Sequence, residues 1–310
     1  MSSPISGKAT APTPSSPGSD ATSSSPPEPR GRAGRDGRLR LVFESRDGRT
    51  VLTGRRFTLP LQALEPMDLA GDGSATLLLL NPTGGVLGGD RLETEVSLGP
   101  GSRVCLSTPS ATRVYRSPEQ PAVQRVSITL GAGATLEWLP DHLIPSPGAR
   151  LRQMTEVTMA SGAALLYLDG WAAGRTARGE AWNFDLLDSS LLVRDATGPL
   201  VRERAILTGG PRPDGLGGTE GFGYVATFVA LRAGELTPGE GWGELAAAVQ
   251  HDLDTVAPDC RAGVTTLGRA GVLARLLCPT APALSACVEA IWVRCRLRLL
   301  GLGPLSLRKL

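Results

Sequence analysis

The side chains in this sequence that are best suited to binding a metal ion are two histidines, each next to a carboxylate. Asp141 and His142 are adjacent, and His251 is followed by Asp252 and Asp254. Imidazole and carboxylate groups together can bind a borderline metal ion such as nickel. Neighbouring residues of a helix point in different directions, so a surface or capping role is the ordinary interpretation of both motifs. Each motif therefore predicts at most a weak, transient metal contact.

Three further carboxylates lie close to apolar or aromatic residues. Glu137 precedes a tryptophan, Asp169 follows an apolar run, and Glu180 lies close to Arg175 and Arg178. A buried carboxylate needs a hydrogen-bonding or charged partner. One interpretation is therefore a structural salt bridge, with Arg175 or Arg178 as the cation. The other is a polar lining for a channel or an interface, and the sequence leaves both open.

The motifs of common enzyme classes are missing. The sequence contains no HExxH, no GxSxG and no Cys-His signature. The Gly-rich stretch Asn81–Asp90 lacks the Walker lysine and the GxGxxG spacing of phosphate loops. Its paired glycines instead predict a close backbone approach or a positive φ. We expect a protein that is not an enzyme, with a carboxylate-based hydrolase and a metal-free β-rich binding module as alternatives.

Charge and cysteine content restrict the class of protein further. A net charge of +2, from 32 basic and 30 acidic residues, predicts neither nucleic acid nor a membrane surface as a partner. The five cysteines are an odd number without CxxC spacing, which argues against a disulfide framework or a zinc knuckle. They are predicted to be small buried side chains in a reducing compartment. With no apolar run long enough to span a bilayer, a cytoplasmic protein is expected.

Short strands are the main elements that must position these side chains. Residues 1–36 are rich in Ser and Pro and are predicted to be a disordered tail, whereas residues 37–310 are predicted to form a single domain. Up to residue 207, apolar runs recur between turns rich in Gly, Pro and Asp. This rhythm predicts a mostly β fold with antiparallel-rich strands, arranged as a sandwich, a barrel or a β-solenoid.

Helices are predicted in the last third of the chain. Trp242–Val256 has apolar residues at four-residue spacing, which predicts a helix with one buried face. Pro282–Leu300 is the second predicted helix, for which Thr280 is a candidate cap. Between these helices, Gly263–Leu267 is predicted to be a strand and Arg269–Leu277 a short helix.

Five sequence blocks occur in the same order as in a known family. The block at 81–92 reads NPTGGVLGGDRL, and the block at 108–117 reads TPSATRVYRS. The others are LEWLP at 136–140, GRTARGE at 174–180, and a C-terminal block made of the two segments 271–277 and 292–301. Together, from Leu39 to Leu302, they resemble the urease accessory proteins of the UreD family, which is also called UreH.

The resemblance implies a β-superhelix of stacked strands with a few helices near the C-terminus, and an accessory function without catalysis. It also implies a complex with UreF and the GTPase UreG on apo-urease, with a dimer of such heterotrimers as one arrangement. An internal polar passage would carry nickel, so nickel is expected to bind transiently and no cofactor tightly. The residues that would line this passage are Asp90, Glu137, Asp141, His142, Asp169 and Glu180.

Overall fold

The computed structural model describes residues 35–208, 218–234 and 241–307, and strands predominate in them. The predicted tail, residues 1–36, lies outside this part of the chain except for its last two residues. In chain order the strands are β1 (Asp36–Arg46), β2 (Arg49–Thr58), β3 (Gln62–Ala63), β4 (Ala75–Leu80), β5 (Arg91–Leu98), β6 (Arg103–Ser107), β7 (Thr112–Val114), β8 (Ala122–Leu130), β9 (Thr135–Leu139), β10 (Leu143–Pro145), β11 (Arg150–Met159), β12 (Ala164–Ala172), β13 (Gly174–Arg175), β14 (Glu180–Ala181), β15 (Leu186–Asp195), β16 (Gly198–Thr208), β17 (Tyr224–Arg232), β18 (Arg261–Thr266) and β19 (Gly271–Cys278). The helices are α1 (Trp242–Val256) and α2 (Ala281–Cys295), with a 3-10 turn at Thr176–Arg178 and a π turn at Arg296–Leu300.

The strands form two large sheets, and the chain passes back and forth between them. The seven-stranded sheet has the order β16-β15-β11-β8-β5-β1-β2. The ten-stranded sheet has the order β18-β19-β17-β12-β9-β6-β4-β3, with β10 and β7 attached beside β12. From β4 to β12 the long strands alternate between the sheets, and each pairs in parallel with the strand of the previous turn. The result is a flattened β-solenoid.

The prediction of a mostly β superhelix with helices near the C-terminus is confirmed. The antiparallel pairing predicted with it occurs at the ends of the sheets, as in β1–β2, β15–β16 and β17–β19. The central strands pair in parallel instead, as in β5–β8, β8–β11 and β11–β15. A strand of the opposite sheet serves as each crossover, so the chain re-enters a sheet in the direction in which it left.

Both helices cover the outer face of the ten-stranded sheet. The first predicted helix is confirmed as α1, which buries Leu245, Val249 and Leu253 along one side. The second is confirmed as α2, and Thr280 caps it by accepting a hydrogen bond from the main-chain nitrogen of Ala283. Among the described residues, no helix combines the length and apolar character that crossing a membrane requires.

The short helix predicted at Arg269–Leu277 is wrong. This segment contains β19, which pairs antiparallel with β17 on one side and with β18 on the other. Leu273 faces the core between the sheets, whereas Leu276 faces the helices. A strand covered on both faces has a continuous apolar run, which cannot be told from a buried helix by periodicity alone. The strand predicted at Gly263–Leu267 is confirmed as β18.

Candidate functional site

Three cavities adjoin one another at one end of the sandwich. The central cavity, of about 220 Å³, lies between the sheets and is lined by residues that include Gln153 and Asp169. The edge cavity, of about 70 Å³, shares Tyr167 and Asp169 with it. The helix-side cavity, of about 300 Å³, lies against α2 and shares Pro140 and Asp141 with the central cavity. Asp141 and Asp169 therefore each border two of these cavities.

The Gly-rich loop at 81–90 supplies one wall of the central cavity. Its Val86 nitrogen donates to the carbonyl of Arg113, and the Tyr115 nitrogen donates to the carbonyl of Val86, both at 2.8 Å. Gly85 has a φ of +151°, and a Cβ atom there would lie 2.5 Å from the Arg113 carbonyl oxygen. The predicted close backbone approach with positive φ is confirmed.

Asp169 stands between the central and edge cavities as a carboxylate held by three neutral donors. Its Oδ1 atom accepts hydrogen bonds from Gln153 Nε2 and Trp171 Nε1, both at 3.1 Å. Its Oδ2 atom accepts a hydrogen bond of 2.7 Å from Ser189 Oγ. Burial raises the pKa of Asp169, while these hydrogen bonds favour the ionised form and oppose the shift. The site is thus a half-buried, hydrogen-bonded carboxylate, and within residues 35–208, 218–234 and 241–307 no salt bridge to it is formed.

A row of polar side chains on the seven-stranded sheet faces Asp169. Gln124 of β8 is the register partner of Gln153 of β11, which is in turn the partner of Ser189 of β15. One row further along, Thr155 accepts a hydrogen bond of 3.1 Å from the hydroxyl of Tyr167. The sequence alone gives no sign of this row, because Gln124, Gln153 and Ser189 are far apart in the chain and only the parallel register brings them together.

An ion pair between the two sheets closes the outer side of the edge cavity. On the ten-stranded sheet Asp169 pairs in register with Thr227, which pairs with Arg275. Arg275 Nη2 donates to both carboxylate oxygens of Glu203 on β16, at 2.7 and 2.9 Å. Both Glu203 and Arg275 line the edge cavity, and neither was among the predicted site residues.

Asp141 and His142 lie where the helix-side cavity meets the segment after β9. The main-chain nitrogen of Asp141 donates to Thr108 Oγ1 at 2.8 Å, and the His142 ring contacts Tyr224 edge-on with centroids 5.3 Å apart. Burial lowers the pKa of His142, and the adjacent Asp141 opposes the shift. The imidazole is therefore neutral at neutral pH, which is the form that binds metal ions. The second histidine, His251, is exposed on α1.

Glu137 faces the opposite side of its sheet, towards α2. It is 4% exposed, and its two carboxylate oxygens accept hydrogen bonds from Trp292 Nε1 and Arg296 Nη1. Burial raises the pKa of Glu137, and the Arg296 charge opposes that shift. Arg296 also donates to the carbonyl of Gly303 at 2.8 Å. Glu137 thus ties the C-terminal segment to the ten-stranded sheet and does not line the three cavities.

The last two predicted lining residues, Asp90 and Glu180, also lie away from the three cavities. Asp90 accepts a hydrogen bond of 2.8 Å from the Leu87 nitrogen within the Gly-rich loop, and burial raises its pKa. Glu180 forms an ion pair of 2.5 Å with Arg175 across the hairpin of β13 and β14. Of the six predicted residues, Asp141, His142 and Asp169 are the ones that border the cavities.

The chain forms a two-sheet solenoid, and the carboxylate of Asp169 between its cavities is held by neutral donors. The sequence profile of the UreD urease accessory protein family matches residues 35–309. A match over most of the chain shows the family, and the chain belongs to the UreD urease accessory proteins. Members of this family are accessory proteins and not enzymes, so this chain is a non-catalytic protein.

Relatives of known name agree with this assignment. Urease accessory protein UreD of Cupriavidus necator is 34% identical over 274 residues, which cover 87% of this chain and 92% of the relative. Urease accessory protein UreD of Deinococcus radiodurans is 34% identical over 280 residues, covering 90% and 96%. That of Alkalilimnicola ehrlichii is 33% identical over 294 residues, covering 93% and 94%.

Proposed function

We propose that this chain is a cytoplasmic scaffold and nickel conduit, which acts with UreF and UreG to activate apo-urease. The accessory role follows from the family. The conduit is supported by one observation above all: three cavities with shared walls run from α2 to the edge of the sandwich, and carboxylates stand at both junctions. Nickel is the cargo of this route and binds transiently, with no tightly bound cofactor.

The side chains at the two junctions between the cavities are better suited to passing nickel on than to storing it. Nickel favours imidazole and accepts carboxylate oxygens, and His142 with Asp141 offers one of each at the helix-side junction. Asp169 offers a single carboxylate at the inner junction. One or two ligands at a step bind a divalent cation weakly, so the ion can leave again. A nickel ion near Asp169 would favour the ionised carboxylate, because a nearby cation lowers the pKa that burial raises.

The first test is urease activation with and without the chain. Apo-urease is co-expressed with UreE, UreF and UreG at limiting nickel, and both urease activity and nickel per active site are measured. We expect both quantities to collapse without this chain and to return when it is supplied. Full nickel loading of urease in its absence would contradict the proposed function.

The second test addresses the route itself. Asp169→Asn removes the charge at the inner junction, and Ala205→Leu narrows the edge cavity that Ala205 lines. Asp188→Asn is the matched control, because Asp188 precedes Ser189 on β15 but pairs with Arg204 outside the cavities. We expect both cavity variants to lower nickel loading while the control keeps it. Equal loading by all three folded variants would exclude a route past Asp169.

A further inference from the structure

Three of the five cysteines meet beneath α2, on the face of the ten-stranded sheet that the helices cover. Cys260 directly precedes β18, Cys278 ends β19, and Cys287 lies on α2. Their Sγ atoms all lie within 4.8 Å of one another, and those of Cys278 and Cys287 are 4.0 Å apart. Cys278 and Cys287 are fully buried, and Cys260 is 9% exposed.

The local fold explains how residues without a metal-binding spacing come together. In the hairpin of β18 and β19, Arg261 is the register partner of Leu277, which places Cys260 opposite Cys278. The chain then turns into α2, whose buried side carries Cys287 back over the end of the hairpin. Because three elements fix the three sulfur atoms, the arrangement is preorganised.

The distances between the sulfur atoms fit a common metal ligand. With a metal–sulfur bond of about 2.3 Å, the sulfur–sulfur edge is about 3.8 Å in a tetrahedron and about 4 Å in a trigonal plane. The 4.0 Å between Cys278 and Cys287 already has this length. The Sγ atom of Cys260, the most exposed of the three, would have to move by less than the length of a bond to reach the same separation from the other two sulfur atoms.

From this geometry we propose that Cys260, Cys278 and Cys287 bind one zinc ion. Thiolate ligands in a tetrahedral arrangement select zinc, whereas nickel prefers planar or octahedral sites with nitrogen and oxygen. Three thiolates and Zn²⁺ carry a net charge of −1, which costs less to bury than the −2 that a monovalent ion would leave.

Zinc binding requires thiolates and so releases protons. The thiol of Cys278 is directed at Cys287 Sγ, 4.0 Å away, so these two sulfur atoms already lie at a common site.

The test uses the full chain, reduced and freed of metal by a chelator, and titrated with Zn²⁺ against a chromophoric competitor. We expect about one zinc ion per chain, and a thiolate-to-metal charge-transfer band when Cd²⁺ replaces it. Cys260→Ser, the mildest change because this side chain is partly exposed, should weaken zinc binding by more than the roughly 100-fold of outer-shell changes. Cys295→Ser is the matched control, since Cys295 is fully buried on the same helix as Cys287.

A measurement on the unmutated chain guards against variants that misfold. Zinc should slow alkylation of Cys260, Cys278 and Cys287, read by mass spectrometry, and leave Cys295 unchanged. Zinc retained in Cys260→Ser, equal alkylation with and without zinc, or displacement of zinc by an equal concentration of nickel would each overturn the proposal. A Cys278–Cys287 disulfide that forms under reducing conditions in place of zinc binding would overturn it as well. None of these outcomes depends on urease activation, so this proposal and the nickel route can fail separately.

Discussion

The buried ion pair between Glu137 and Arg296 should be among the most costly contacts to break. Their side chains are 6% and 2% exposed, and each carboxylate oxygen has one donor, from Trp292 and from Arg296. Arg296→Met leaves one oxygen without a donor and the charge without a partner. Removing one member of a buried pair costs about 3–5 kcal/mol, so we expect a loss of that size in the free energy of unfolding.

The same variant should show a characteristic pH dependence. Without Arg296, burial raises the pKa of Glu137 further above its unfolded value of 4.5. The folded state then binds a proton more tightly than the unfolded state, so stability is highest at low pH and falls as pH rises through the raised pKa. Arg296→Met should therefore cost less at pH 5 than at pH 8, measured by urea unfolding with tryptophan fluorescence.

A second substitution separates the charge from the packing. In Glu137→Gln/Arg296→Met the amide oxygen still accepts from Trp292, and no charge remains buried. Replacing a buried pair by neutral groups is often near neutral, so the double variant should recover about 2–3 kcal/mol of the loss. Arg298→Met is the control, because Arg298 and its partner Glu244 are 52% and 78% exposed and such pairs contribute little.

Two outcomes would refute this reasoning. One is a cost of Arg296→Met within about 1 kcal/mol of the Arg298→Met control, since surface pairs contribute no more than that. The other is a double variant that is no more stable than Arg296→Met. The double variant also tests function, because a purely structural Glu137 predicts normal nickel loading of urease once folding is restored. If the double variant folds but urease is not loaded with nickel, Glu137 would have to be counted among the residues of the nickel route.

Three further predictions concern folding stability. The free energy of unfolding of the wild type, relative to that of Asp169→Asn, should fall as pH rises above 3.8, because the raised pKa of Asp169 makes the folded state bind the proton more tightly than the unfolded state. A difference between the two proteins that urea unfolding shows to be the same at every pH would contradict this. Gly85→Ala should cost about 1–3 kcal/mol in thermal unfolding, since its Cβ would strike the Arg113 carbonyl, whereas Gly48→Ala, which meets no atom within 4 Å, should cost less. Thr280→Ala should cost about 1 kcal/mol by removing the cap of α2, and an unchanged melting temperature would show that the cap contributes nothing.

The sequence predicted local structure better than strand pairing. Alternating runs located β5 and β8, and four-residue spacing located α1, because these patterns depend on neighbours along the chain. Parallel pairing depends on which strand of a later turn lies beside which, and β8, one of the two partners of β5, follows only after β6 and β7. The same limit explains β19, whose two covered faces remove the alternation that distinguishes a strand from a buried helix.

The sequence indicated which kinds of residue the candidate site would contain, but not which of them would be neighbours in space. Asp169 stood out because a carboxylate after an apolar run must find partners. Its donors Gln153 and Ser189 gave no signal, because they become neighbours only through the register of β11 and β15. The cysteines show the opposite case: their spacing argued against a metal site, and the hairpin and helix then placed three of them together.

The polar end of the sandwich is informative because the same strands are apolar at their other end. Across β5, β8, β11 and β15 one register row consists entirely of apolar side chains, namely Val96, Ile128, Val157 and Val193. Four residues earlier in each strand, the row consists of Leu92, Gln124, Gln153 and Ser189, so three of its four side chains are polar. These polar side chains are partly or fully buried, so they lose some of their water and need hydrogen-bond partners, which apolar side chains do not. The proposed route past Asp169 would account for this row, because a hydrated or partly hydrated cation needs polar walls.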